Sequence, residues 1–174
     1  VRKKPEEVKK IYFGKDFYYV SVGSATEDAL IETVQNALPK FKDKFFVVVA
    51  DKIKKEVRGE NFILLSFLKD PFPYIKGCSG VIAPAGHTLI SEALVYGKPI
   101  LAVPVKNHIE QLVNAHIIEK QGFGIACYDA AHFENSMREF FSKQPKFAEN
   151  VRKAGFKGSG ADDVVKIVEE LLSR

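Results

Sequence analysis

The chain has 174 residues, 46% apolar and 28% charged, with a net charge of +4, fourteen Phe and no Trp. That length and balance fit one domain with a sizeable, Phe-rich core; they exclude a transmembrane helix, because no apolar run reaches the ~18 residues needed, and the charged N-terminus shows no signal-peptide pattern. The lysines at 3–4, 9–10 and 52–55 are mostly interleaved with Glu, so the mild positive charge reads as a solvated face and no nucleic-acid partner is expected.

In chain order, residues 1–16 read as an interdomain linker. Met137 is the only methionine, so a fragment of a longer protein is expected, with 17–174 as its ligand-binding domain. The stretch FYYVSVG (17–23) is predicted as a strand, TEDALIETVQNALPK (26–40) as a helix by its apolar spacing, and FFVVVA (45–50) as a strand covered on both faces. NFILLSF (61–67) is the third predicted strand, PYIKGC (73–78) a short helix and GVIAP (80–84) the fourth strand. A helix over 87–96, a strand over 99–104, a helix over 108–120 and a short strand over 123–127 follow. Two or three further helices complete the chain, the last at 161–173. This order implies an α/β fold, a Rossmann-like and mostly parallel sheet with helices on both faces. Cys78 and Cys127 stand apart in apolar contexts, as buried thiols of a reduced, cytoplasmic compartment would.

Ligands of such sheets sit beyond the carboxyl ends of the strands, at the switch point. The loop that ends the fourth predicted strand carries Ala85-Gly86-His87-Thr88 at a helix start. A helix start offers unpaired N–H groups and a partial positive charge, and a glycine lets an anion approach the backbone closely. Gly86 and Thr88 therefore read as a phosphate site that needs no metal; His87 reads either as a phosphate contact or as a surface histidine. Glu92 lies four residues after Thr88, on the same helix edge. It is placed to accept two ribose hydroxyls, or else it is a surface acid. Gly97-Lys98-Pro99 ends that helix and is not a Walker loop, since Pro follows the Lys.

Two other loops read in two ways. Gly23 and Ser24, with Glu27 three residues on, are either a second anion-facing turn or a plain capping box. Asn107 with Glu110 is again capping-box-like, or Glu110 and Gln111 point into the cleft and bond a ligand's hydroxyls. His108 and His116 are eight residues apart, too far for the i, i+4 pairing of a metal site. No metal and no separate cofactor are expected. The G-x-G-x-x-G fingerprint is absent as well, against a dinucleotide dehydrogenase.

The stretch 80–126 resembles the donor-binding half of GT-B glycosyltransferases, which are built from two Rossmann-like domains. It is most similar to the murein-type N-acetylglucosaminyltransferases and the UDP-glycosyltransferases. The resemblance rests on Ala85-Gly86-His87-Thr88, Glu92-Ala93, Gly97-Lys98-Pro99, Glu110-Gln111 and Asn114-Ala115, in spacing that holds over about 45 residues, with the 20–27 stretch resembling the family's first Gly-Ser loop. It implies transfer of a sugar from a nucleoside diphosphate, expected to be UDP, onto an acceptor hydroxyl. By the same resemblance Gly86, His87, Thr88, Gly23 and Ser24 would line the diphosphate, Glu92 the ribose, Glu110 and Gln111 the donated sugar, and the backbone of Phe67 and Leu68 the base. The catalytic base is expected in an N-terminal acceptor domain, through which peripheral membrane association is also possible. Two departures stand out: Pro84 occupies the place where many of these transferases have a phosphate-bonding histidine, and Ala25-Thr26 replaces the second glycine of the first loop. The rival readings are half of a UDP-sugar 2-epimerase-like isomerase and a non-catalytic nucleotide-sugar binding module.

Overall fold

The computed structural model describes residues 16–22, 28–51, 53–156, 158 and 161–173. The order is β1 (Tyr18–Ser21), α1 (Asp28–Ala37) running into a 3-10 turn (Leu38–Lys40), β2 (Phe46–Val49), β3 (Val57–Arg58), β4 (Phe62–Leu65) and α2 (Phe72–Gly77). There follow β5 (Gly80–Ala83), α3 (His87–Val95), β6 (Ile100–Ala102), α4 (Ile109–Lys120), β7 (Gly124–Ala126), a second 3-10 turn (Ala130–His132), α5 (Phe133–Ala154) and α6 (Ala161–Leu172). The seven strands form one sheet in the order β3-β4-β2-β1-β5-β6-β7. Every pairing is parallel except β3 with β4.

The continuous apolar runs explain why the sheet is buried on both sides. Successive residues point to opposite faces, and both faces are covered. Tyr19, Val47, Val49, Ile63, Val81, Ala83, Ile100 and Ala102 pack with Tyr74 and Ile75 of α2, Ile90 and Ala93 of α3 and Ala115 and Ile118 of α4. Tyr18, Val20, Phe46, Val48, Leu64, Ile82, Leu101 and Ile125 pack on the other side with Val34 of α1 and Phe133, Met137, Phe140 and Phe147 of α5. Phe46, Phe133 and Phe140 are almost wholly buried, each contributing about 1.5–3 kcal/mol. Gln144 fastens α5 to the sheet: its Oε1 accepts from the Tyr18 hydroxyl at 3.2 Å and its Nε2 donates to the Ser79 carbonyl at 2.8 Å.

One strand departs from the sequence reading. The third predicted strand is β4, because the two-residue β3 precedes it as an antiparallel edge. Both of its residues are exposed, and the Arg58 Nε bonds the Glu56 carboxylate at 2.6 Å. So short and solvated a strand carries no hydrophobic period to read. Cys78 and Cys127 are free and buried, and burial pushes the Cys78 thiol up to about 11. Among the described residues no helix is long and apolar enough to cross a membrane.

The sheet's connections fix where a ligand belongs. From β1 the chain moves outward through β2 to β4 on one side, and β5, β6 and β7 fill the other. Strand order thus reverses at β1, and the crevice lies between the carboxyl ends of β1 and β5. Residues 23–27, and with them Gly23 and Ser24, lie outside the described residues, as does 1–15 of the expected linker.

Candidate functional site

β5 ends at Ala83, and the Gly86 amide folds back onto the Pro84 carbonyl at 2.8 Å, a tight turn that throws the chain into α3. Gly86 is the N-cap of α3, at φ −71° and ψ 139°, and no side chain caps the helix from that position. Any residue adopts that conformation, and a Cβ placed on Gly86 would meet nothing within 4 Å. The fold itself therefore does not require glycine there. His87 and Thr88, the first two helical residues, are exposed. Among the described residues the Thr88 and Leu89 amides have no backbone or side-chain acceptor, so they point their N–H groups out of the helix start.

Two polar side chains of α4, Glu110 and Asn114, tie it to this turn, and a third, Gln111, ties it to the loop that leads into it. The Glu110 carboxylate accepts from the His87 amide at 3.2 Å. The Gln111 Oε1 accepts from the Val105 amide at 2.9 Å. Asn114 Nδ2 donates to the Ala85 carbonyl at 2.9 Å, and Ala115 beside it is fully buried. The capping-box reading of Asn107 and Glu110 is corrected here. Asn107 sits in the left-handed region at φ 65°, and the N-cap is His108. With the helix start one residue later, Glu110 cannot close a box on Asn107 and reaches α3 instead. Gln111 is 8% exposed with its oxygen bound to the loop, which leaves its amide nitrogen as the group available to a ligand. Asn114, noted in the sequence only as part of a spacing, has a structural role that its position one helical turn after Glu110 signals.

Glu92 is half-buried on the same edge of α3 as Thr88, and burial holds its carboxyl above the usual carboxylate range. The Tyr19 phenol of β1 is raised by burial first and by the charges of Cys78 and Glu92 next. Phe67 and Leu68 follow β4, three strand positions from β5 in the sheet order, about 14 Å at the usual strand spacing. Leu68 packs against the core while Phe67 is 72% exposed. The structure thus brings Gly86, His87, Thr88, Glu92 and Glu110 together and leaves Phe67 and Leu68 at the far wall of the same sheet edge. Among the described residues no group of three His, Cys, Asp or Glu side chains stands together.

Comparison with known proteins bears on the family and the fold. The model of the family described as glycosyl transferase family 1 matches residues 15–145. An uncharacterized glycosyltransferase of Methanosarcina acetivorans is 48% identical over 65 residues, 37% of this chain and 17% of that protein. A UDP-N-acetylglucosamine–N-acetylmuramyl-(pentapeptide) pyrophosphoryl-undecaprenol N-acetylglucosamine transferase of Thermotoga sp. (strain RQ2) is 28% identical over 163 residues, 91% of this chain and 46% of that protein. The chain thus spans less than half the length of these relatives. Among solved structures, spinosyn forosaminyltransferase SpnP superposes with a TM-score of 0.70 at 18% identity, over 94% of this chain and 46% of that one. Os79 from O. sativa, in complex with UDP and deoxynivalenol-3-glucoside, superposes with a TM-score of 0.70 at 17% identity, over 89% of this chain and 42% of that one. A seven-stranded, mostly parallel sheet with the family's spacing at the α3 head and a family match over most of its length place the chain in glycosyl transferase family 1, as a Rossmann-like half of a GT-B glycosyltransferase.

Proposed function

We propose that residues 17–174 form the donor-binding domain of a transferase that moves a sugar from a UDP-sugar to an acceptor hydroxyl without a metal ion. One observation carries this reading: at the α3 head an unneeded glycine, outward-facing Thr88 and Leu89 amides and a half-buried Glu92 share one edge of the switch-point crevice. In it, the diphosphate lies over Gly86, His87 and Thr88, with Gly23 and Ser24 on its other side. The ribose hydroxyls bond Glu92, the base runs toward Phe67 and Leu68, and Glu110 and the Gln111 amide face the donated sugar. Pro84 has no group to bond a phosphate, so the backbone amides and His87 take that part.

The chemistry follows from electrostatics. As the sugar's anomeric bond to the diphosphate breaks, negative charge grows on the departing phosphate oxygen. Fixed N–H dipoles and the helix field stabilise that charge without reorganising. Each charge-assisted amide bond contributes about 1.5–3 kcal/mol, so two or three of them do the work of a cation. The acceptor, the catalytic base and any membrane contact belong, in this reading, to an N-terminal domain of the whole enzyme. The relatives' names support the donor class, since the murein transferases use UDP-N-acetylglucosamine and Os79 was crystallised with UDP. Calorimetric titration with UDP and with 2′,3′-dideoxy-UDP tests the assignment. Wild type is expected to prefer UDP, and Glu92→Ala to abolish the preference; a preference that survives Glu92→Ala removes the ribose role.

A further inference from the structure

The Glu110–His87 bond bears on how the donor enters. It joins the first turn of α4 to the first residue of α3, and it occupies an amide that the donor reading gives to phosphate. A diphosphate oxygen and a carboxylate cannot share that amide, because like charges in contact repel strongly. The neighbouring bonds differ from it. Asn114 is bound to Ala85 and holds α4 against the turn, while Gln111 is buried and bound to Val105, which fixes α4 to the loop that leads into it. Glu110 is exposed. Its side chain can leave His87 by rotating, while the helix stays where Gln111 and Asn114 fix it.

We infer that Glu110 is a built-in competitor for the diphosphate, and that this competition favours a sugar-bearing donor over the free nucleoside diphosphate. The inference rests on the donor reading above. Free UDP must displace the carboxylate from the His87 amide and leaves it without a new partner. A UDP-sugar displaces it toward the sugar hydroxyls, which can donate to it and offset the lost bond. Glu110 therefore weakens product binding more than substrate binding, which helps UDP depart after transfer. The apparent affinity for UDP is lowered by the fraction of protein in which Glu110 holds the amide. A carboxylate at an exposed helix start holds it well enough to make that a factor of about three to ten.

The test is calorimetric titration of the 174-residue chain with UDP and with UDP-N-acetylglucosamine, in wild type, Glu110→Gln and Glu110→Ala. Glu110→Ala is expected to bind UDP about three- to tenfold tighter than wild type, with Glu110→Gln between them. UDP-N-acetylglucosamine is expected to gain nothing or to bind more weakly. The His87 amide resonance is expected to move in Glu110→Ala before any nucleotide is added. UDP binding that is unchanged or weaker in Glu110→Ala overturns the competition while leaving the donor site intact. Equal tightening of both ligands overturns the discrimination. No UDP binding by any of the three folded proteins overturns the donor reading, and this inference with it.

Discussion

The β6–β7 edge and the head of α3 each carry a glycine, for opposite reasons. A Cβ on Gly124 of β7 would run into the Ile100 carbonyl of β6 and lie 2.7 Å from its carbon, so neighbouring backbone forbids a side chain there. At Gly86 a Cβ would meet nothing, and the backbone angles suit any residue. Packing accounts for the first glycine. Among the described residues no neighbour accounts for the second; beyond glycine's fitness as an N-cap, it leaves the exposed amides of α3 open to approach. The comparison separates residues that build the fold from residues that the fold only holds out.

Substitution at the two positions should split cleanly. Gly124→Ala is expected to have the largest effect, about 3 kcal/mol of stability and a fall of roughly 6–12 °C in Tm, measured by thermal unfolding; a Tm within a degree of wild type would mean that β6 and β7 can separate freely. Gly86→Val should leave stability nearly intact, at most about 1 kcal/mol for a poorer N-cap, yet weaken UDP binding more than tenfold, about 1.4 kcal/mol. Calorimetry showing normal UDP affinity in that variant would end the steric argument for Gly86. Between these extremes lies Asn114→Ala, which removes the tie to the Ala85 carbonyl. It should lower stability by about 1 kcal/mol and also loosen the turn that carries the amides, so that affinity and Tm fall together.

The smallest effect concerns pH. Burial raises the folded-state value of Glu92 above its unfolded one. The folded chain then holds this proton more firmly than the unfolded chain does, so stability falls as pH rises from the ordinary glutamate range through the raised folded value. Glu92→Gln removes that slope. It should melt above wild type at pH 7.5, with the difference shrinking at and below pH 4, while binding ribose nucleotides less well. A Tm difference that does not change with pH would show that Glu92 is not strained by its burial.

The sheet was legible because its strands are unbroken apolar runs with helical periods between them, and because Gly97-Lys98-Pro99 punctuates the end of α3; Gly97 indeed takes φ 70°. Spacing put Thr88 and Glu92 on one helix edge with Gly86 at its head, as they are, but left open whether Glu92 meets a ligand or is a surface acid. What escaped depends on distant partners or single dihedrals. Asn107 is one of the few residue types that enters the left-handed region readily, and this moved the helix start past the expected cap. Glu110 bonds an amide 23 residues away, which no local pattern reports. Gln111 is anchored to Val105 by a loop whose path depends on that same left-handed turn. β3 was too short and too exposed to leave a signal.

Donor binding, as proposed, depends on the α3 amides. Titrating UDP into the isotope-labelled chain and following backbone amide resonances should move His87, Thr88 and Leu89 first and most, with Glu92 and Phe67–Leu68 following, while Gly124 and the α5 residues on the opposite face stay still. A folded chain whose 86–92 amides do not move at millimolar UDP would contradict it.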